Sequence, residues 1–233
     1  MIEARDDSLF IDLGYGASPV TTLDSLGLFR VLNPDLRCVG VEIDPERVAA
    51  AKPFEGPGIE FRRGGFNLPV EEAESARLIR AFNVLRQYDE DAVREACLQM
   101  SEPLREGGLL IEGTSDPFGR VWTAWLHRKV GSVLRPEALV FGTNFKAGFD
   151  PGLFQAVLPK ALIHRMVPGE PIHALFEAWH RAARATIGTR VFGPRQWWRA
   201  SLEQLAGGCR GLREGRRDWA RGWAVFDGDA LGV

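Results

Sequence analysis

The sequence predicts an α/β protein: a mostly parallel seven-stranded sheet flanked by helices, with a helical insertion near the C-terminus. Two observations carry that expectation. Strand-like and helix-like segments alternate through the first two-thirds of the 233 residues, the rhythm of a parallel sheet covered on both faces. In addition, Phe10 to Pro19 reads FIDLGYGASP, an apolar strand that ends in an acid, followed by a glycine turn and a helix start.

Each element follows from local pattern. Leu9 to Leu13 is the first strand. Ser18 is placed to cap the first helix, Thr21 to Leu32, with Pro19 at its first position, where no N–H is needed. Asn33-Pro34 ends that helix. Cys38 to Glu42 is a second buried strand, and Pro45 to Lys52 a helix opened by proline. Ile59 to Arg62 and Ala76 to Phe82 are the third and fourth strands. Asp89 to Leu104 is a helix with Asp89 as its cap, because Ala92, Val93, Ala96, Cys97, Met100 and Leu104 recur at helical spacing. Gly107-Gly108 stops it, and Leu109 to Ile111 begins a fifth strand. Val121 to Val133 reads as a further helix and Ala138 to Phe145 as a sixth strand. Pro171 to Ile187 and Arg195 to Leu205 are helical, and Trp223 to Phe226 is a closing strand. The division that results is a core over 1–145, a helical segment over 146–221, and a last strand with its tail over 222–233. Gly207 to Arg217, rich in glycine and arginine, is the expected mobile loop.

Composition narrows the functional classes. With 45% hydrophobic and 26% charged residues, the chain has the make-up of a globular protein rather than a disordered one. No apolar run approaches a membrane span and no signal-peptide pattern opens the chain, so no membrane partner is expected. Cys38, Cys97 and Cys209 stand far apart without CxxC or His-Cys clustering. They read as reduced thiols in a cytoplasm, with neither a disulfide frame nor a metal site. The net charge of −2 hides an asymmetry: about 17 basic against 24 acidic residues up to Pro159, and about 12 against 5 from Lys160 to Arg221.

The glycine turn and the second strand together describe a nucleoside site. Glycines let the backbone approach a ligand, and helix-end N–H groups face its anionic part. Glu42, ending the second strand, can accept ribose hydroxyls. Asp12 beside the turn is a poor neighbour for a pyrophosphate but tolerates an ammonium or sulfonium. The G-x-G-x-x-G of a dinucleotide site is absent.

These segments resemble the class I (Rossmann-like) S-adenosylmethionine-dependent methyltransferases over about Leu9 to Thr114. IDLGYG resembles the first motif of that family, which places Asp12 beside the methionine part of the cofactor and gives the turn to Gly14, Tyr15, Gly16 and Ala17. Ser18 stands where the family often has a third glycine. GVEID is similar to the second motif, with Glu42 on the ribose and Ile43 beside the adenine. FRRGGFNLP occupies the place of a Gly-Asp motif, but the position of the adenine-binding Asp is Gly65 here. The resemblance therefore leaves adenine recognition to backbone near Phe66 or to Asn67. ARLIRAFNVLRQY is similar to the fourth strand and its exit, which puts Arg80, Ala81 and Asn83 at the cofactor–substrate boundary. A structural partnership of Arg80 with Asp12 or Glu42 is the alternative.

The resemblance implies S-adenosylmethionine (SAM) as cofactor, S-adenosylhomocysteine (SAH) as product, and transfer of a methyl group to an unidentified acceptor, a small molecule first. No Asp/Asn-Pro-Pro-Tyr/Phe segment and no Pro-Cys nucleophile is present. His164 and His173, in PKALIHRMVPGEPIH, are candidate general bases. The arginine-rich C-terminal region, with Trp179, Trp197, Trp198, Trp219 and Trp223, offers a second reading as an RNA or DNA methyltransferase. Trp179 and Trp197 also fit buried helix faces. A SAM-binding protein without catalysis is a third reading, and a nicotinamide-dependent oxidoreductase the remotest. Family members often carry helices before the first strand that close over the cofactor. Here that cover would come from the C-terminal insertion, from the partner in a homodimer, or from residues preceding this chain start.

Overall fold

The computed structural model describes residues 8–231. Its elements run β1 (Leu9–Leu13), α1 (Val20–Arg30), β2 (Cys38–Glu42), α2 (Pro45–Ala51), β3 (Ile59–Arg63), β4 (Ala76–Phe82), α3 (Glu90–Ser101), β5 (Leu104–Ser115), β6 (Val121–Val130), β7 (Val133–Thr143), α4 (Gly152–Gln155), α5 (Lys160–Ile163), α6 (Pro171–Ala185), α7 (Pro194–Ala206), α8 (Arg216–Arg221) and β8 (Trp223–Asp227). The strand order is β3-β2-β1-β4-β5-β6-β7-β8. By contact the chain divides into two compact units, residues 1–112 with 127–135, and residues 113–126 with 136–233.

In the first unit, β1 pairs in parallel with both β2 and β4, and β2 in parallel with β3. Each of these connections carries the chain back across the sheet, which a parallel pair requires. Alternating side chains feed two cores. Leu9, Ile11 and Leu13 of β1 pack with Val39 and Val41 of β2 and with Val93, Ala96 and Met100 of α3. Phe10 and Cys38 point the other way and pack with Leu26 of α1 and Leu36. Strands buried on both faces explain why β1 and β2 read as continuous apolar runs.

The second unit is built on aromatic packing. Phe141 of β7 meets Phe154, Phe176, Trp179 and Phe226, each edge-on, with centroids 5.3–5.9 Å apart. Three buried indoles have their N–H groups bonded: Trp179 to Ser201 Oγ, Trp197 to the Ala183 carbonyl and Trp198 to the Trp219 carbonyl, at 2.8–3.1 Å. β8 pairs antiparallel with β7, and the helices α4 to α8 lie between them in sequence.

Several expectations need correction. The sheet has eight strands rather than seven, because Val121–Val133 is not a helix; Val121–Val130 is β6. Val121, Ala124 and Trp125 match helical spacing, yet Gly131, with φ of 60°, turns the chain straight into β7. That strand starts at Val133, five residues before the expected Ala138. The helix from Asp89 ends at Ser101, and Gly107-Gly108 lies inside the long β5 instead of ending a helix. Ser18 does not cap α1: Pro19 is the N-cap residue, and no side chain caps that end. The glycine-arginine stretch after α7 is bonded to β8, through Arg213 N–H to the Val225 carbonyl and Asp227 N–H to the Gly211 carbonyl, both 2.8 Å. It is not a free loop.

Among the described residues no helix is long and apolar enough to cross a membrane. One buried group links this fold to pH. Burial lowers the His127 imidazole from its usual value to about 4, so the folded chain keeps it neutral where an unfolded chain would protonate it, below about pH 6.5. The unfolded state then binds more protons, and stability falls as pH drops from about 6.5 towards 4. The melting temperature of His127→Gln is expected to fall less over that interval than that of the wild type. Parallel curves would contradict this role.

Candidate functional site

The carboxyl ends of β1 and β2 bring the two predicted acids onto one face of the sheet. Asp12 pairs in register with Gly40, and Glu42 lies two residues further along the same strand. Both therefore project on the side of Phe10 and Cys38.

Their surroundings differ. Asp12 is 1% exposed. Its Oδ1 accepts from Arg80 Nη1 at 2.8 Å and its Oδ2 from the Thr22 hydroxyl at 2.6 Å. Burial pushes its carboxyl above the usual range, and the Arg80 charge and Thr22 bond offset only part of that rise. The pair fastens β1 to its register partner on β4 and to α1. Of the two readings of Arg80, a structural partnership with Asp12 is the one the geometry displays. Arg80 also lies over the Phe82 ring, 4.6 Å from its centroid.

Glu42 is turned to the glycine loop. Its Oε2 accepts the Gly16 N–H at 2.9 Å, and its Oε1 accepts the N–H of Ile43 at 3.0 Å and of Asp44 at 3.3 Å. Arg47 stands 3.8 Å away. The loop takes this shape because Gly14 and Gly16 have φ of 73° and 79°, left-handed backbone that side chains resist. A Cβ on Gly14 would also stand 2.5 Å from Val84 Cγ2, whereas one on Gly16 would meet nothing within 4 Å. Ala17 and Ser18 are exposed. Tyr15 turns inward, edge-on to Phe61 at 5.2 Å. Burial, with Glu42 and Glu55 nearby, raises its phenol to about 12.

Other predicted residues gather at the same strand ends. Ile43 is 67% exposed beside Glu42. Gly64 donates its N–H to the Glu42 carbonyl at 3.1 Å, which brings the Gly65-Phe66-Asn67 turn to the end of β2. Phe66 packs edge-on to Tyr88 at 5.1 Å, and Asn67 is exposed. Ala81 is buried near the end of β4, and Asn83 just beyond it has φ of 60°, a conformation uncommon outside glycine. His164, exposed at the C-cap of α5, and His173, in the first turn of α6, both lie in the second unit.

Two contributors escape sequence reading, and a third does not. Thr22 carries no signal of its bond to Asp12, ten residues away. Arg47 reaches Glu42 only because α2 folds back beside β2. Asp44 was legible: it precedes Pro45, and its carboxylate accepts from Glu46 and Arg47 N–H as the cap of α2. Among the described residues, no group of three or more His, Cys, Asp or Glu side chains could hold a metal ion.

No family model matches the chain, and no curated relative matches it. Solved structures resemble it in part. The citrinin polyketide synthase CMeT domain is 18% identical over 49% of this chain and 31% of its own, with a TM-score of 0.40. LepI in complex with SAM is 18% identical over 48% and 28%, with a TM-score of 0.39. The plantazolicin methyltransferase BpumL, in complex with a pentazolic desmethylPZN analogue and SAH, is 12% identical over 49% and 41%, with a TM-score of 0.38. The chain spans less than half the length of each. At such scores any functional reading rests on this chain's own residues.

The Asp12–Arg80 geometry yields a test. Removing one partner of a buried ion pair leaves an uncompensated charge, at a cost of about 3 kcal/mol or more. Arg80→Leu is expected to lose about that much stability in urea unfolding, and Asp12→Asn with Arg80→Leu to recover a good part of it. Additive losses would show that the pair is not coupled.

Proposed function

We propose that this chain is a SAM-dependent methyltransferase, transferring a methyl group from the sulfonium of SAM to a nucleophile and releasing SAH. The observation that carries the reading is the Glu42 carboxylate seated against the Gly16 N–H at the ends of two parallel strands. An acid there, facing a glycine loop with two left-handed residues, suits the vicinal hydroxyls of a ribose.

The residues fit most of the cofactor. Glu42 would accept from the ribose hydroxyls, and the Gly14–Gly16 backbone would border the methionine part. Ile43 and the Gly65–Asn67 turn would flank the adenine, with Ala81 and Asn83 next to the reacting end. Asp12 fits its expected role less well, because it is 1% exposed and its oxygens are held by the Arg80 and Thr22 side chains. It is better described as a positioning residue that holds β1 and β4 in register beneath the loop. The cofactor supplies an electrophilic methyl group. The chain's share is alignment of the acceptor and exclusion of water, which needs no strong catalyst. His164 and His173 are assigned no role in this scheme. A small molecule is the first acceptor class for this scheme, and RNA or DNA the alternative.

Isothermal calorimetry with SAH tests the reading. The wild type is expected to bind with measurable heat, and Glu42→Ala at least about tenfold more weakly, a loss of about 1.4 kcal/mol. No heat from the correctly folded wild type would overturn the proposal.

A further inference from the structure

The second unit carries an aromatic surface on the sheet face turned away from its core. Val121 and Trp125 of β6, Leu139 and Phe141 of β7, and Ala224 and Phe226 of β8 all enter the aromatic core. Alternation along a strand therefore places Trp122, Gly142 and Trp223 on the opposite face. Gly142 and Trp223 are register partners. A Cβ on Gly142 would overlap the Trp122 indole, so that indole lies across the bare backbone of β7, towards the strand that bears Trp223. Trp223 is 43% exposed, and Phe118, in the turn leading into β6, is 75% exposed.

Cations rim this surface. The Arg120 guanidinium covers the Phe118 ring at 4.5 Å and is steadied by Asp116 at 2.9 Å. Asn144 N–H donates to the Arg120 carbonyl at 3.1 Å and Thr143 N–H to the Gly222 carbonyl at 2.9 Å. The end of β7 is thus flanked by Arg120 on one side and by Arg221, which precedes Gly222, on the other. Arg221 and Lys146 are both exposed.

We propose that this face binds single-stranded nucleic acid, with bases stacked on Trp223 and Phe118 and phosphates drawn to Arg221 and Lys146. Exposed flat rings accept the faces of unpaired bases, which a duplex keeps hidden, and the cations follow a backbone. The region from Lys160 to Arg221 carries about 12 basic against 5 acidic residues, more positive charge than one phosphate requires. The buried Trp179, Trp197, Trp198 and Trp219 take no part; the bases meet Phe118 and Trp223 instead. Binding itself is independent of the cofactor reading. Only the further step, a nucleic acid as methyl acceptor, rests on it.

Fluorescence anisotropy with a labelled single strand of about 12 nucleotides, without SAM or SAH, tests the surface and leaves the cofactor site out of the measurement. Saturable binding that weakens steeply with salt is expected. Trp223→Ala should weaken it about tenfold, and Arg221→Gln should reduce the slope against log salt by about one. If Trp223→Ala fails to fold, judged by circular dichroism, Phe118→Ala gives the same readout at an exposed turn. The proposal is overturned by absence of binding, or by equal affinity for the duplex, for inorganic polyphosphate or for free AMP. It is overturned equally if the folded aromatic variant binds as the wild type does.

Discussion

The carboxylate of Glu42 holds the ends of β1 and β2 together as a site. Its side chain is only 6% exposed, and burying a charge is costly unless it is well bonded. Three backbone N–H groups meet that need, one from the glycine loop and two from the turn into α2. Bonds to an ionised acceptor are stronger than neutral ones, so the same contacts that keep the charge inside also shape the loop. The positive φ of Gly16 turns its N–H onto Glu42. These bonds order the carboxylate and the loop together.

A second layer lies beneath it. Asp12, Arg80 and Thr22 link β1, β4 and α1 on the same sheet face. Such a pair gains little over a well-packed apolar substitute, but losing one partner is expensive. It fixes which strands stand side by side, and so where the glycine loop and the end of β4 come to rest. The two carboxylates have separate surroundings: Asp12 ties strands together through side chains, and Glu42 is bonded to the backbone of the glycine loop and of the turn into α2.

The first half of the architecture was legible because its strands are buried on both faces and its turns are marked by glycine and proline. β1, β2 and β4 fall where the apolar runs place them, and Glu42 closes β2 as the sequence places it. The second half was harder. β6 reads VWTAWLHRKV, in which Val121, Ala124 and Trp125 satisfy a helical period while Val121, Thr123 and Trp125 satisfy a strand period equally well. Pairing with β7 decides between them, and pairing is not local. The tryptophan count of the C-terminal region overstated its exposed aromatic surface, since four of the five tryptophans fill a core and Trp223 alone of them is exposed. The pairing of Arg80 with Asp12 was one of the two readings the sequence offered for that arginine, whereas the Thr22 contact left no trace in spacing.

The central claim is that Glu42 touches the ribose itself and does not merely support the loop. A thermodynamic cycle isolates that contact: binding of SAH and of its 2′-deoxy analogue, each to the wild type and to Glu42→Ala. If the carboxylate accepts the hydroxyl, removing either partner weakens binding and removing both costs little more, giving a coupling energy of about 1 kcal/mol or greater. Strictly additive losses, with the analogue weakened equally in both proteins, would contradict the account.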